Sequence, residues 1–569
     1  MEQKTHQLQV AVSEILRHMN IPAIEHLSPS SHAKVSESGY ADHHNGESEY
    51  ASPRSRHRPA TLSMTREPSQ EPAQGEGDGD STISDPMASL YEVTKLSALR
   101  SNPQSTPRGE VRTGLKDDFI AQGRVSLSDA EELFHAFDTT LHQYLWGGSP
   151  LVHDILASAR ESSSLLVAAI LAVTALHVQD KEHIFDMAYT EFLSLVSDSM
   201  FHRYHNLDDI RGFCIGAFWL SEVSWKLSGH AVRIATELGL HQSFSKALRG
   251  QSDHIEGARL WFLLYVCDHN FSIAYGRPPV IHDDATIPLH EAFLQMPGVT
   301  QADYRLHSQV AIFRILSQVY FYFGPDPEKS ISETDLDSIQ TFNADIDAWR
   351  AKWQPLLGPN KYLAGYPARG IIMNWNFAKL QVNAYALRGM SPCSTQMLSD
   401  KRHHFAQLAV DNALATLEFV LKDPSIRAAT VGMPLYLHTM ITYAAAFLLK
   451  VLLRWRAYSL ALDDYTVIHL IESCADLLSN AKTSKRHLAP YMAHGLRGMI
   501  AKFKAERLEP EPLPLTIADL ERGLAGSSGP DWSSFGVGIM SGDDVGLYGI
   551  EQQYLPLGMF DGMAAGMPG

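Results

Sequence analysis

From about Asp117 the apolar positions of this 569-residue chain recur at spacings of three and four, the period of one face of a helix. The segment SLSDAEELFHAFDTTLHQYL offers Ser126 or Ser128 as an N-cap, with acids in its first turn. Its apolar face carries Leu133, Phe137 and Leu141, and Gly147-Gly148 supplies a stop. The segment ESSSLLVAAILAVTALHV is almost wholly apolar after Ser164, which predicts a central helix surrounded on every side. Further helices are predicted over 182–202, 208–223, 302–323, 333–353, 369–388, 402–422, 435–458, 464–481 and 486–506. The breakers between them, Gly324-Pro325 and Pro424, leave no room for a sizeable sheet. The pattern predicts an all-α fold, one large multi-helix domain over 117–508.

The stretch from Trp225 to Ile281 organises this pattern. Leu227, Ala231, Ile234, Ala235 and Leu238 form one helix face, and Gly239 fits its stop. Trp261, Leu264, Tyr265, Asp268 and Ser272 then share a stripe of a longer helix. Gly276 suits the left-handed stop and Pro278-Pro279 forbids continuation. Asp268 is out of place on that stripe, because a buried carboxylate is costly unless paired. It reads either as a catalytic acid or effector ligand, or as half of a structural ion pair pinning the exit loop. The ion pair is the expected reading, with Arg277, Arg259 or Arg233 as partner.

The flanks follow a different pattern. In residues 1–20, Leu8, Val12, Ile15 and Met19 are spaced as a coiled-coil seam and predict a short dimer contact, ended by Pro22. Residues 21–116 are rich in Ser, Pro, Gly, His and Glu, a composition expected to stay disordered. Residues 509–569 carry nine acids against the single base Arg522, a local charge of -8. Trp532, Phe535, Tyr548 and Phe560 are interspersed among those acids, the composition of a disordered activation segment.

Composition narrows the function classes. A net charge of -17 argues against the whole chain being drawn to nucleic-acid phosphates. Four cysteines, Cys214, Cys267, Cys393 and Cys474, stand singly and build neither a disulfide framework nor a zinc cluster. Met1 to Gln9 is polar, with no apolar signal core. The run Pro434 to Leu453 is apolar but contains His438, Thr439, Thr442 and Lys450, so a buried core helix is expected rather than a membrane span. There is no G-x-S-x-G elbow, no phosphate-binding loop and no H-E-x-x-H pair, so no catalytic residue or cofactor site is assigned and an enzyme is not expected. His282-Asp283-Asp284 is the one tight cluster of metal-ligand types, and it reads as a polar loop rather than a metal site.

Two linked motifs carry a resemblance. The run LSGHAVRIATELGLH, followed by ARLWFLLYVCDHNFSIAYGRPPVI, resembles the fungal-specific transcription factor domain, the helical middle homology region of the zinc binuclear-cluster regulators. Ala231, Arg233, Ala235, Leu238, Gly239, Leu240 and His241 match its first motif. Arg259, Trp261, Asp268, Gly276, Arg277 and Pro278 match its second. The resemblance spans roughly 117–508. It implies a nuclear regulator of RNA polymerase II transcription, working as a homo- or heterodimer with the transcription machinery and responding to a small-molecule effector. The family's six-cysteine zinc cluster is not among the four cysteines here. DNA contact is therefore expected indirectly, through a cluster encoded upstream, which would bring the zinc, or through a full-length partner that this chain would join or titrate.

Overall fold

In the computed structural model the described residues are 118–508, apart from 147–150, 202–203, 275, 327–328, 391–397 and 456–457. The coiled-coil seam at Leu8 to Met19, the linker, the tail aromatics Trp532 to Phe560 and the stop at Gly147-Gly148 lie outside them. The chain is all-α. Among the described residues the one β pairing is an isolated bridge between Asn360 and Ala364.

The first helix, α1 (Leu127–Ala136), is capped by Ser126, whose side chain accepts from the Asp129 N–H. It runs on through a π-helical turn, Phe137–Leu141, which the 3.6-residue pattern did not foretell. After α2 (Leu156–Ser162), α3 (Ser164–His177) forms the centre: every residue from Leu165 to Leu176 is buried. Burying a leucine or valine is worth roughly 1.5–3 kcal/mol, so this helix anchors the core. Around it stand α4 (Glu182–Ser199) and α5 (Leu207–Trp219), the latter opened by a capping box on Asn206 and Asp209. Helix α5 lies close enough to α3 that a Cβ on Gly212 would come within 3.0 Å of the Leu166 backbone. Glycine is required there by the approach itself.

The next elements are α6 (Ser224–Glu237), the short α7 (Ser243–Leu248) and α8 (Ile255–Ala274). A 3₁₀ segment, Ile287–Gln295, leads to α9 (Gln301–Phe323). Helices α10 (Asp335–Trp353), α11 (Tyr366–Ala384) and α12 (Asp400–Lys422) follow. Pro424, expected to act only as a breaker, instead opens a helix, α13 (Pro424–Ala429), with Asp423 as its N-cap. Proline suits that position because the first N–H of a helix has no partner to lose.

Helix α14 (Leu435–Arg454) is long and apolar enough to cross a membrane by length and composition, yet 83% of its apolar window is buried inside the protein. Helices α15 (Asp464–Ser479) and α16 (Leu488–Leu508) close the domain. They are bridged by ion pairs Asp476–Arg497 at 2.8 Å, Glu472–Lys504 at 3.4 Å and Asp464–Arg507. The loop between them packs back on α3 and α4, where Ser484 N–H donates to the Leu176 carbonyl and Lys485 N–H to Glu182.

Candidate functional site

The motif residues meet where α6, α8 and the loop after α8 pack together. Leu227, Ala231, Ile234 and Ala235 of α6 are buried. Gly239 then takes the left-handed conformation at φ 72°, and Gly276 does the same past α8 at φ 61°. Both positions favour a residue without Cβ. Helix α8 was expected to bury one stripe. It is instead buried continuously from Leu260 to Asn270, so every polar group on it needs a partner.

Asp268 finds its partners in the backbone. Its Oδ2 accepts from the Val280 N–H at 2.7 Å and the Ile281 N–H at 2.8 Å. The expected arginine ion pair is therefore corrected: the carboxylate does pin the exit loop, but through peptide N–H groups. Arg277 lies exposed with its guanidinium 5.0 Å from the centre of the Trp225 ring, and Arg233 is exposed as well. One turn before Asp268, the Tyr265 hydroxyl donates to Asp283 at 2.7 Å, and Asp283 pairs with Arg314 of α9 at 2.8 Å. Asp284 accepts from the N–H groups of Thr286 and Ile287. The carboxylates of the His282-Asp283-Asp284 cluster thus fold the loop, and no group of three or more metal-ligand side chains is found among the described residues.

Arg259 serves a second network. It pairs with Glu256 on its own helix and with Asp303 at 2.7 Å, whose other oxygen caps α9 by accepting from Thr300 N–H. Glu256 also meets Arg211 at 3.2 Å, Arg211 meets Asp208 at 2.6 Å, and Asp208 meets His153 at 2.9 Å. One chain of alternating charge therefore joins the first turns of α5, α8 and α9. His241 and Trp261 face each other edge to face at 6.2 Å, and Nδ1 of the one and Nε1 of the other are buried without a hydrogen-bond partner among the described residues. Pro278 is exposed at the mouth of the loop.

Burial pushes Asp268 up to about 6, even though the two N–H donors favour its charged form. Burial, with Asp283 beside it, holds the Tyr265 hydroxyl far above the usual phenol range. His153 and Ser162 as hydrogen-bond donors and the nearby Arg211 charge keep Asp208 well below the ordinary carboxylate range, against the cost of its burial. Each ionised acid here is spent on holding backbone or guanidinium in place. The arrangement fixes a loop and three helix N-termini.

A different polar cluster lies between α3, α14 and the α15–α16 loop. The rings of His177 and His487 are 4.7 Å apart, and those of His438 and His487 are 6.4 Å apart. His177 Nδ1 bonds the Val173 carbonyl and His438 Nε2 the Thr430 carbonyl, each at 2.8 Å, while among the described residues the buried His177 Nε2 and His438 Nδ1 have no partner within hydrogen-bonding geometry. Burial pushes His177 and His438 down to about 4 and His487 well below its ordinary value, so all three are neutral at pH 7. The sequence reading did not find this cluster, because 177, 438 and 487 share no motif and meet only in the fold.

Residues 123–506 match the family described as the transcriptional activator of proteases prtT middle domain. The chain is 45% identical over 511 residues to the transcriptional activator of proteases prtT of Emericella nidulans, an alignment covering 87% of this chain and 76% of that protein. No solved structure matches. The expected kinship with the fungal middle homology domain is thereby shown; a zinc cluster is not. The chain belongs to the family of the prtT-like transcriptional activators, and the helices that the Asp268 clasp on the exit loop and the charge network tie together are its middle domain, the core of a transcription regulator.

Proposed function

We propose that this protein activates transcription of protease genes in the nucleus, without catalysing a reaction itself. The observation that carries the reading is the 45% identity to an activator of proteases across 87% of the chain. The helical domain is the regulatory, effector-sensing part. The tail of residues 509–569 contacts the transcription machinery through Trp532, Phe535, Tyr548 and Phe560, and Leu8, Val12, Ile15 and Met19 pair two subunits. DNA contact is assigned to a zinc cluster or a partner rather than to the helical domain, since the net charge of -17 repels phosphate.

Two assays test this reading. Expressed in an Emericella nidulans strain lacking its prtT protein, the chain joined to the part of that protein outside the match should restore protease transcripts; an unchanged null phenotype would remove the protease assignment. Tethered to an unrelated DNA-binding domain, residues 509–569 should activate a reporter and lose that activity when the four aromatics are replaced together. Silence of the tethered tail would return it to linker.

A further inference from the structure

Helices α10 and α11 leave an open groove of about 460 Å³ along their surface, lined by Asp347, Arg350, Gln354, Pro355, Ala368 and Trp375. Its polar groups differ from those of the clasp in one respect. The Arg350 guanidinium lies 4.4 Å from the centre of the Trp375 ring, and its Nε donates to Gln354 Oε1 at 3.0 Å. Its position is thus fixed from two sides, yet its two terminal nitrogens make no hydrogen bond or ion pair among the described residues.

The nearby acid does not fill that role. Asp347 accepts from Trp375 Nε1 at 2.7 Å and from Lys379 Nζ at 2.8 Å, which neutralises it within the groove wall. Lys379 also stands 5.1 Å from the Trp375 ring centre, so the indole has cations at 4.4 and 5.1 Å. The local balance is two cations to one acid in a protein whose total charge is -17. Oriented terminal N–H groups of a guanidinium match the two oxygens of a carboxylate. The methyl groups of Ala351 and Ala368 and the ring of Pro355 offer an apolar wall, and the groove volume falls in the range of small-molecule sites.

We propose that this groove is a binding site for a small organic carboxylate, its anionic end held by the terminal nitrogens of Arg350 and its flat or apolar body lying against Trp375, Ala351 and Pro355. This deepens the effector-sensing reading above by giving the effector a place and a charge, and it rests on that reading only for its biological use. Arg350 is the positioning cation for the ligand, Trp375 holds it flat, and Gln354 fixes its rotation.

The test uses the full chain, with benzoate as probe and benzamide as its uncharged counterpart of the same shape. Saturation-transfer NMR titration should show benzoate binding at least tenfold more tightly than benzamide. The Arg350→Gln variant should bring benzoate to the benzamide level while leaving the thermal midpoint in place, and Arg350→Lys should fall between. Equal binding of the two probes to the unaltered protein overturns the proposal without recourse to any variant. So does benzoate binding unchanged in Arg350→Gln, or no benzoate binding at millimolar concentration. None of these results touches the regulator reading, which stands or falls on the transcript and reporter assays.

Discussion

The loop clasp at α8 and the groove between α10 and α11 use the same residue types, arginine, aspartate and an aromatic ring, to opposite ends. In the clasp, Asp268 is 2% exposed and spends its Oδ2 on two backbone N–H groups, and in the charge network beside it Asp303 is 1% exposed and spends its carboxylate on Arg259 and a helix cap. In the groove, half-buried Arg350 is held by Gln354 and Trp375, and its terminal nitrogens make no hydrogen bond or ion pair among the described residues. A satisfied, dry polar group specifies the fold; an oriented, unsatisfied one at the surface is available to a ligand. Of the motif residues, Asp268 and Arg259 are of the first kind. Their resemblance to a motif therefore reports architecture, and recognition has to be sought elsewhere on the domain.

This contrast can be broken most forcefully at Arg259. Replacing it with alanine leaves buried Asp303 without its cation and Glu256 with Arg211 alone, and removing one partner of a buried ion pair costs about 3–5 kcal/mol. Chemical denaturation should show a loss of that size, and a loss below about 1 kcal/mol would mean that the network is ornamental. The Asp268→Ala change comes next. It strands the N–H groups of Val280 and Ile281, each costing about 1–3 kcal/mol where water does not replace the acceptor. Combining Asp268→Ala with Arg277→Ala should give additive losses within about 0.5 kcal/mol, since the carboxylate is held by backbone and not by that arginine. A larger coupling would restore the ion pair that the structure replaces.

Acid provides the third test. His177 and His438, held at about 4 in the folded protein, bind protons more readily once unfolded. Their stabilising contribution is present above the unfolded value of about 6.5 and is lost as pH falls from there toward about 4, by roughly 2 kcal/mol per histidine between pH 7 and 5. Asp268, raised to about 6, contributes with the opposite sign, favouring the folded state as pH falls below that value. The histidines outnumber it, so the thermal midpoint should drop on acidification, and the drop should shrink in His438→Gln. A flat midpoint between pH 7 and 5 would contradict the dry cluster. The smallest effect is expected at the groove, where Arg350→Gln should change stability by less than about 0.5 kcal/mol.

The helical architecture was largely legible in the sequence because the period of three and four, together with glycine and serine punctuation, reports local geometry. Ser126 does cap the first helix, the predicted 464–481 helix is observed as Asp464–Ser479, and the apolar run after Ser164 is the buried centre. The short helices α2 and α7 were not foreseen, since six or seven residues carry too little periodicity, and neither was the π turn at Phe137–Leu141. The site was legible in part. Composition could show that Asp268 needed a partner, but a backbone N–H leaves no trace in the residue letters. Asp303 was legible as the fourth residue of the Thr300 capping box, a purely local signal that the reading passed over. Its bond to Arg259, 44 positions away, and the meeting of His177 with His487 exist only once the helices have packed.

The account stands or falls on the claim that the motif acid holds the exit loop through its backbone. Hydrogen exchange at the Val280 and Ile281 amides reads that contact directly. The unaltered protein should protect both amides although they lie outside any helix, and Asp268→Ala should speed their exchange at least a hundredfold while peptides from α10 and α11 keep their rates. Rapid exchange of these two amides in the unaltered protein, or unchanged protection in the variant, would contradict it.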